Sequence, residues 1–233
     1  MSSKKYFVLG ILCLILICAV FYFLSAQEKP LRDLHPIVVA MEATPVNSLF
    51  YIAEENGFFE ENGIAIIIND GYSSGFVATE AMLEGNVDIA TAAELAVVRY
   101  TLENKNIRTI GNIDRFMHQY LITRNDRGIA AAQDLAGKKV GVPLQTGAQF
   151  NFSRYLTLHG VAENEVMVVD VQAPKVLEIF RNREVDAVVA WQPNTEKLKT
   201  EFKDSVSVWS IQNNQPMYCS VVATESWLVQ HPG

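Results

Sequence analysis

The chain has 233 residues, 49% of them hydrophobic and 19% charged, with a formal net charge of −7. That is enough apolar material for one large domain or two small lobes, and it excludes a disordered chain. The acidic balance argues against nucleic acid and against adhesion to anionic lipid.

In chain order, the first feature is Lys4 and Lys5 ahead of an uninterrupted apolar run, 6–24. As a helix that run would reach roughly 28 Å, about the hydrocarbon thickness of a bilayer. The two lysines place the N-terminus inside and the remainder outside. Residues 1–26 are therefore expected to be a signal peptide or an N-terminal membrane anchor. Ser25 and Ala26 offer small residues for cleavage, whereas Cys13 and Cys18 follow Leu12 and Ile17, not the small residue a lipoprotein signal needs. Without Lys4 and Lys5 the net charge becomes −9, and Cys219 is the one exported cysteine, so stability must come from packing without a disulfide.

The stretch 27–36 is polar, carries Pro30 and Pro36, and reads as a linker. A buried-strand run at 37–41 leads through the loop 42–47 into a helix at 48–56 that Gly57 closes. A second strand at 64–68 follows the turn at Gly63, and residues 71–75 open a helix running to about Glu84. A third strand at 87–90, a helix at 94–103 and a fourth strand at 107–113 complete the first half. Strands alternating with helices of about ten residues predict a parallel α/β fold.

The second half repeats the plan. A strand at 139–143, a helix at 148–159, a strand at 166–171 and a helix at 175–183 lead to Val185-Asp186, as the first series leads to Val87-Asp88. The intervals agree: 25 positions separate Gly63 from Asp88, and 26 separate Gly160 from Asp186. The order predicts two similar lobes. Between them, 114–126 is the crossing segment, with 120–123 as its strand. The strand, turn and helix start around Gln145 stand out. Phe152, Tyr155, Leu156 and His159 form one helical stripe, Thr146 is placed to cap the helix, and Gly147 would let backbone approach a ligand. Such strand-to-helix edges attract anions and polar groups.

Four stretches in order resemble the type II periplasmic binding proteins, in particular the nitrate, sulfonate, taurine and thiamine-precursor branch of ABC-importer substrate-binding proteins. They are residues 49–59 through Gly63-Ile64, 83–90, 134–142 and 185–193, within a resemblance covering about 37–233. The resemblance implies an α/β fold of two lobes, each one sheet flanked by helices, joined by a two-strand hinge and closing on a small ligand. Lobe 1 would be 37–115, lobe 2 116–210, and 211–233 would return towards lobe 1. Residues 224–227 look like a helix start and 230–233 follow at once, so the family's usual closing helices are missing; either the sequence is a fragment or lobe 1 is incomplete.

By position, the strand-end turns resemble the family's ligand loops. The candidates are Thr44, Asn47 and Phe50 after the first strand, Tyr72, Ser73 and Ser74 after the second, and Ala93 and Glu94 after the third. In lobe 2 they are Gln145, Thr146, Gly147 and Gln149, then Trp191 and Gln192. Trp191 either walls the cleft and stacks on ligand or fills the core beneath the next helix. Glu94 either meets an amine group or sits in the first turn of its helix, where a carboxylate suits the dipole. Arg115 either clamps an anion or pairs with Asp114 at the hinge, near His118.

Catalysis finds little support. His35, His118, His159 and His231 lack metal-ligand spacing, and neither a Walker loop nor a nucleophile elbow is present. No cofactor and no metal are expected. The reading is a non-enzymatic, extracytoplasmic solute-binding protein of an ABC importer, tethered or secreted and expected to be a monomer. Its expected partners are a sulfonate, taurine or thiamine-precursor-like ligand and a membrane permease. The alternative is a membrane-anchored sensory input domain binding a similar molecule.

Overall fold

The computed structural model describes residues 35–232. The apolar run 6–24 and the linker up to Leu34 lie outside the described residues, and among the described residues no helix is long and apolar enough to cross a membrane.

The first series is β1 (His35–Ala40), α1 (Ser48–Glu55), α2 (Phe58–Glu61), β2 (Ile64–Asn69), α3 (Gly75–Leu83), β3 (Ile89–Ala93), α4 (Glu94–Leu102) and β4 (Ile107–Phe116). The chain then crosses into β5 (Tyr120–Arg124), β6 (Lys139–Val142), α5 (Gly147–Leu158), β7 (Met167–Asp170), α6 (Val176–Arg181), β8 (Ala187–Ala190), α7 (Asn194–Phe202) and β9 (Val206–Ser210). It returns through β10 (Met217–Thr224) and α8 (Glu225–Gln230).

Two sheets result, with strand orders β2-β1-β3-β10-β4 and β7-β6-β8-β5-β9. Strand for strand the orders correspond, which is the repeat visible in the sequence. They are mixed sheets, however, where strand–helix alternation alone predicts parallel ones. β1 pairs in parallel with β2 and β3, and β6 with β7 and β8, but β10 and β5 are antiparallel to both their neighbours. The cause is the route of the chain: β5 and β10 enter their sheets from the opposite lobe, without the helical crossover that keeps successive strands parallel.

Several element ends differ from the sequence reading. β1 starts at His35 because His35 and Pro36 already pair with Ile64 and Ala65. α3 starts at Gly75 because Ser74 caps it, its Oγ accepting from Val77 N at 3.3 Å. β3 lies later than predicted, at Ile89–Ala93, where its register with β10 carries the alanines into the sheet. On α5 the predicted stripe is buried: Phe152, Tyr155 and Leu156 join the second-lobe core, and His159 packs its ring 4.2 Å from that of Tyr155. Full burial of a side chain such as Phe152 is worth about 1.5–3 kcal/mol.

The lobes are joined by two crossings, residues 117–119 and 211–216, held by the fully buried Gln212. Its Oε1 accepts from Gln119 N at 3.0 Å, and its Nε2 donates to Phe116 O at 3.2 Å and Gln215 O at 3.1 Å. One side chain thus satisfies backbone groups of both crossings, a buried polar arrangement that fixes the hinge.

Candidate functional site

Where β1 ends, the chain turns through Glu42 to Asn47, and Asn47 Nδ2 closes the turn by donating to Glu42 O at 2.8 Å. Thr44 is buried in that turn and its hydroxyl has no hydrogen-bond partner among the described residues. Across the first sheet, α3 starts against β3: a Cβ on Gly75 would lie 2.9 Å from Ala92 Cα, so the close approach requires glycine. α4 follows β3 directly, without a capping side chain.

In the second lobe Val142 leads through Pro143 to α5. Thr146 caps it as predicted, its Oγ1 accepting from Ala148 N at 3.1 Å and donating to Pro143 O at 2.7 Å. Trp191 follows β8, and its indole Nε1 donates across the gap to Glu42 Oε1 at 2.9 Å. The cis peptide before Pro193 comes directly afterwards, at Gln192.

These turns enclose a cavity between the sheets. It gives about 70 Å³ of room to the centres of water molecules. Since one water needs roughly 10–15 Å³ on that measure, the space suits a ligand the size of about five waters. Residues at the N-terminal ends of α3, α4 and α5 line it, so backbone N–H groups and the positive ends of three helix dipoles gather from both lobes.

Burial pushes the Glu42 carboxyl up to about 8, against the opposing pull of the Trp191 hydrogen bond. Glu42 nevertheless keeps some exposed surface, consistent with a carboxyl enclosed by protein but open to the cavity. Burial lowers His118 to about 4, only partly offset by Asp114, so its imidazole is neutral at pH 7. The buried Cys219 thiol is pushed up to about 12 by desolvation, with Asp114 and Glu42 adding to it. It stays protonated and is a poor nucleophile.

Of the candidates read from the sequence, Thr44, Asn47, Ser74, Ala93, Gln145, Thr146, Gly147 and Trp191 come together at the cavity. Trp191 satisfies both of its readings, being a cavity wall and a member of the second-lobe core. The others stand elsewhere. Phe50 is buried on α1 and stacks on Phe59 with ring centroids 5.8 Å apart. Tyr72 packs against the first-lobe core, and Ser73 is half-buried beside Ser74, off the cavity wall. Glu94 takes its helix-first-turn reading, its carboxylate accepting from the backbone N–H of Tyr218. Arg115 is exposed on β4, and it is its backbone N–H, at 2.7 Å, that meets Asp114. Gln149 accepts from Gln145 N at 2.7 Å and lines an outer groove between α4 and α5. Gln192 stands just ahead of α7, its Oε1 accepting from Glu196 N in the first turn at 3.3 Å.

Gly147 lines the cavity as well as packing against the returning strand: a Cβ there would meet Met217 Cε, whose side chain would have to shift.

Sequence reasoning missed Glu42, Phe76, Phe116, Gln119 and Cys219, all on the cavity wall. Glu42 lies in a turn already singled out and was findable as the first residue past Met41. Phe116, Gln119 and Cys219 depend on the register of β4 with β10 and on the crossing, which no local pattern encodes.

With the two-sheet geometry in view, comparison with known proteins decides the family: the NMT1/THI5-like family model matches residues 44–233. The chain belongs to the NMT1/THI5-like family. Among curated relatives, a Brucella abortus protein named as a putative binding protein is 26% identical over 164 residues, covering 69% of this chain and 49% of that one. The taurine-binding periplasmic protein of Escherichia coli is 21% identical over 159 residues, covering 64% of this chain and 46% of its own length. The chain spans about half the length of the curated relatives it matches. Among solved structures, the alkanesulfonate-binding protein SsuA of Xanthomonas axonopodis pv. citri, bound to MOPS, superposes with a TM-score of 0.72 at 13% identity, over 85% of this chain and 68% of that one. The aliphatic sulphonate binding protein SsuA of Escherichia coli gives 0.69 at 14% identity over the same shares, 85% and 68%. The NMT1/THI5-like chain therefore has the two-sheet fold of periplasmic binding proteins.

Proposed function

We propose that the chain is the solute-binding part of an ABC importer, which holds a small organic molecule between its lobes and hands it to a membrane permease. The observation that carries this reading is the cavity walled by both sheets, with Trp191 of the second lobe hydrogen-bonded to Glu42 of the first at 2.9 Å. A ligand touching both walls favours the closed arrangement by its differential affinity, the physical basis of cleft closure.

The ligand class that fits the relatives' names is a sulfonate or taurine; a thiamine-precursor-like compound is proposed beside them on the sequence resemblance alone. Residues 37–115 with 211–233 would form one lobe and 116–210 the other, acting as a monomer at the extracytoplasmic face, tethered or released there by the N-terminal segment. The proposed role is binding and not turnover, in keeping with relatives named as binding proteins; the cavity's thiol, held protonated, is a poor nucleophile. Of the candidate residues, Thr44, Ser74, Thr146 and Trp191 are proposed to contact the ligand.

The test is a thermal-shift screen of the full chain against sulfonates, amines and pyrimidines. A true ligand at a hundredfold excess over its Kd stabilises the protein by about 2.7 kcal/mol. Absence of any shift across the three classes contradicts the proposal.

A further inference from the structure

Glu42 is an enclosed acid without a cationic partner. Among the described residues no lysine or arginine lines the cavity, and His118, the remaining group there able to carry positive charge, is neutral. The carboxyl has one protein donor, the uncharged indole N–H of Trp191 on Oε1; Oε2 accepts no hydrogen bond from the described residues. Two residues along the same turn, the buried hydroxyl of Thr44 also lacks a partner among them. Once ionised, the Glu42 carboxylate is acceptor-only and repels an isolated oxyanion, and the Thr44 hydroxyl in the same turn is free to accept as well as to donate. On the other side of the cavity stand Thr146 and Gly147, at the N-terminal turn of the twelve-residue α5, an environment suited to negative charge.

We infer that Glu42, with Thr44, is a subsite for an ammonium or amidinium group, so that the site takes a small zwitterionic or cationic amine in preference to a plain anion of the same shape. The inference rests on the solute-binding reading and adds to it the charge pattern of the ligand. Two consequences follow from the chemistry. A cationic group beside a desolvated carboxylate restores the ion's lost hydration through a charge-assisted hydrogen bond, which an amine-free analogue cannot do. Glu42, raised to about 8, must also give up its proton to receive a cation, so binding below that pH releases a proton and tightens as pH rises. The titratable groups facing Glu42 in the cavity are Cys219 on β10 and His118 at the crossing, with Asp114 behind them. The thiol stays protonated and the imidazole neutral between pH 6 and pH 8, so neither supplies the proton.

The experiment is calorimetric titration of the full chain with three matched pairs that differ in the cationic group: 2-aminoethanesulfonate and ethanesulfonate, 3-aminopropanesulfonate and propanesulfonate, acetamidinium and acetamide. In at least one pair the cationic member is expected to bind tenfold or more tightly, with proton release at pH 6.5 read from buffers of different ionisation enthalpy. Glu42→Gln keeps an acceptor for Trp191 and removes the charge; it should abolish both the preference and the proton release while leaving the melting temperature at pH 4, where Glu42 is neutral folded and largely neutral unfolded, unchanged. Amine-free members binding as tightly as their partners, or Glu42→Gln retaining the preference, overturn the inference and leave the solute-binding reading standing. Binding of none of the six by the wild type overturns the inference and counts against that reading as well.

Discussion

Asp88 and Asp186 occupy equivalent places in opposite lobes and accept equivalent backbone N–H groups: Asp88 Oδ2 takes Val38 N at 2.7 Å, and Asp186 Oδ2 takes Lys139 N at 2.9 Å. In each case the aspartate's own N–H returns the bond, to Val38 O at 3.0 Å and Lys139 O at 2.8 Å. Each pair ties the residue just before β3 or β8 to the neighbouring parallel strand, β1 at Val38 and β6 at Lys139. Replacing either aspartate with alanine strands a backbone donor and should cost about 1–3 kcal/mol, read from the denaturant midpoint. Asparagine keeps an acceptor oxygen and should recover most of that loss at both positions. Equal losses for alanine and asparagine would show that charge, through Arg127 at 3.2 Å from Asp186, matters more than the acceptor.

Gly147 and Met217 give a second test. Gly147→Ala drives a methyl into the Met217 side chain, an overpacking expected to cost about 1–3 kcal/mol. Met217→Ala opens room for it. The double variant should therefore be more stable than the summed single losses imply, by about 1 kcal/mol or more in a double-mutant cycle. Strict additivity would contradict the packing described at the hinge.

The pH dependence of stability in the ligand-free protein follows from the cavity's two shifted groups. Folding leaves Glu42 holding a proton that the unfolded chain, with its ordinary value of 4.5, has released; the folded group gives it up only near 8. Stability from this source is fully present below pH 4.5 and falls as pH rises towards 8, by up to about 1.4 kcal/mol per pH unit. His118 has the opposite effect, being neutral in the fold down to about 4 while the unfolded chain takes its proton near 6.5. Its contribution rises with pH between those values. The two largely cancel from pH 4.5 to 6.5, leaving a decline from 6.5 to 8 due to Glu42. In denaturation at a series of pH values, Glu42→Gln should remove that decline and expose the His118 slope below it.

The two-lobe plan was legible because it is carried by local pattern. Val- and Ile-rich runs, the turn at Gly57 with its φ of 71°, and the repeated Val-Asp before β3 and β8 each declare an element or its end. The strand-end turns that build the cavity were also legible, Thr44, Thr146 and Trp191 among them. What local pattern could not give was long-range register. The antiparallel entry of β10 puts Cys219 opposite Ala93 and Asp114, and brings Tyr218 N to Glu94. It thereby removes Glu94 from the role of cavity acid and leaves that role to Glu42. Gln149 and Gln192 looked like ligand groups because polar residues at helix starts do, but their side chains are spent on backbone N–H groups at those same helix starts.

The central claim is that one ligand is held by both lobes at once. The direct measurement is the Kd of the tightest compound from the solute screen, by calorimetry, for the wild type, for Thr44→Val in the first lobe and for Trp191→Phe in the second. Each substitution is expected to weaken binding about tenfold, equivalent to about 1.4 kcal/mol. A Kd unchanged by either substitution would mean that the ligand sits on one lobe alone, contradicting the account.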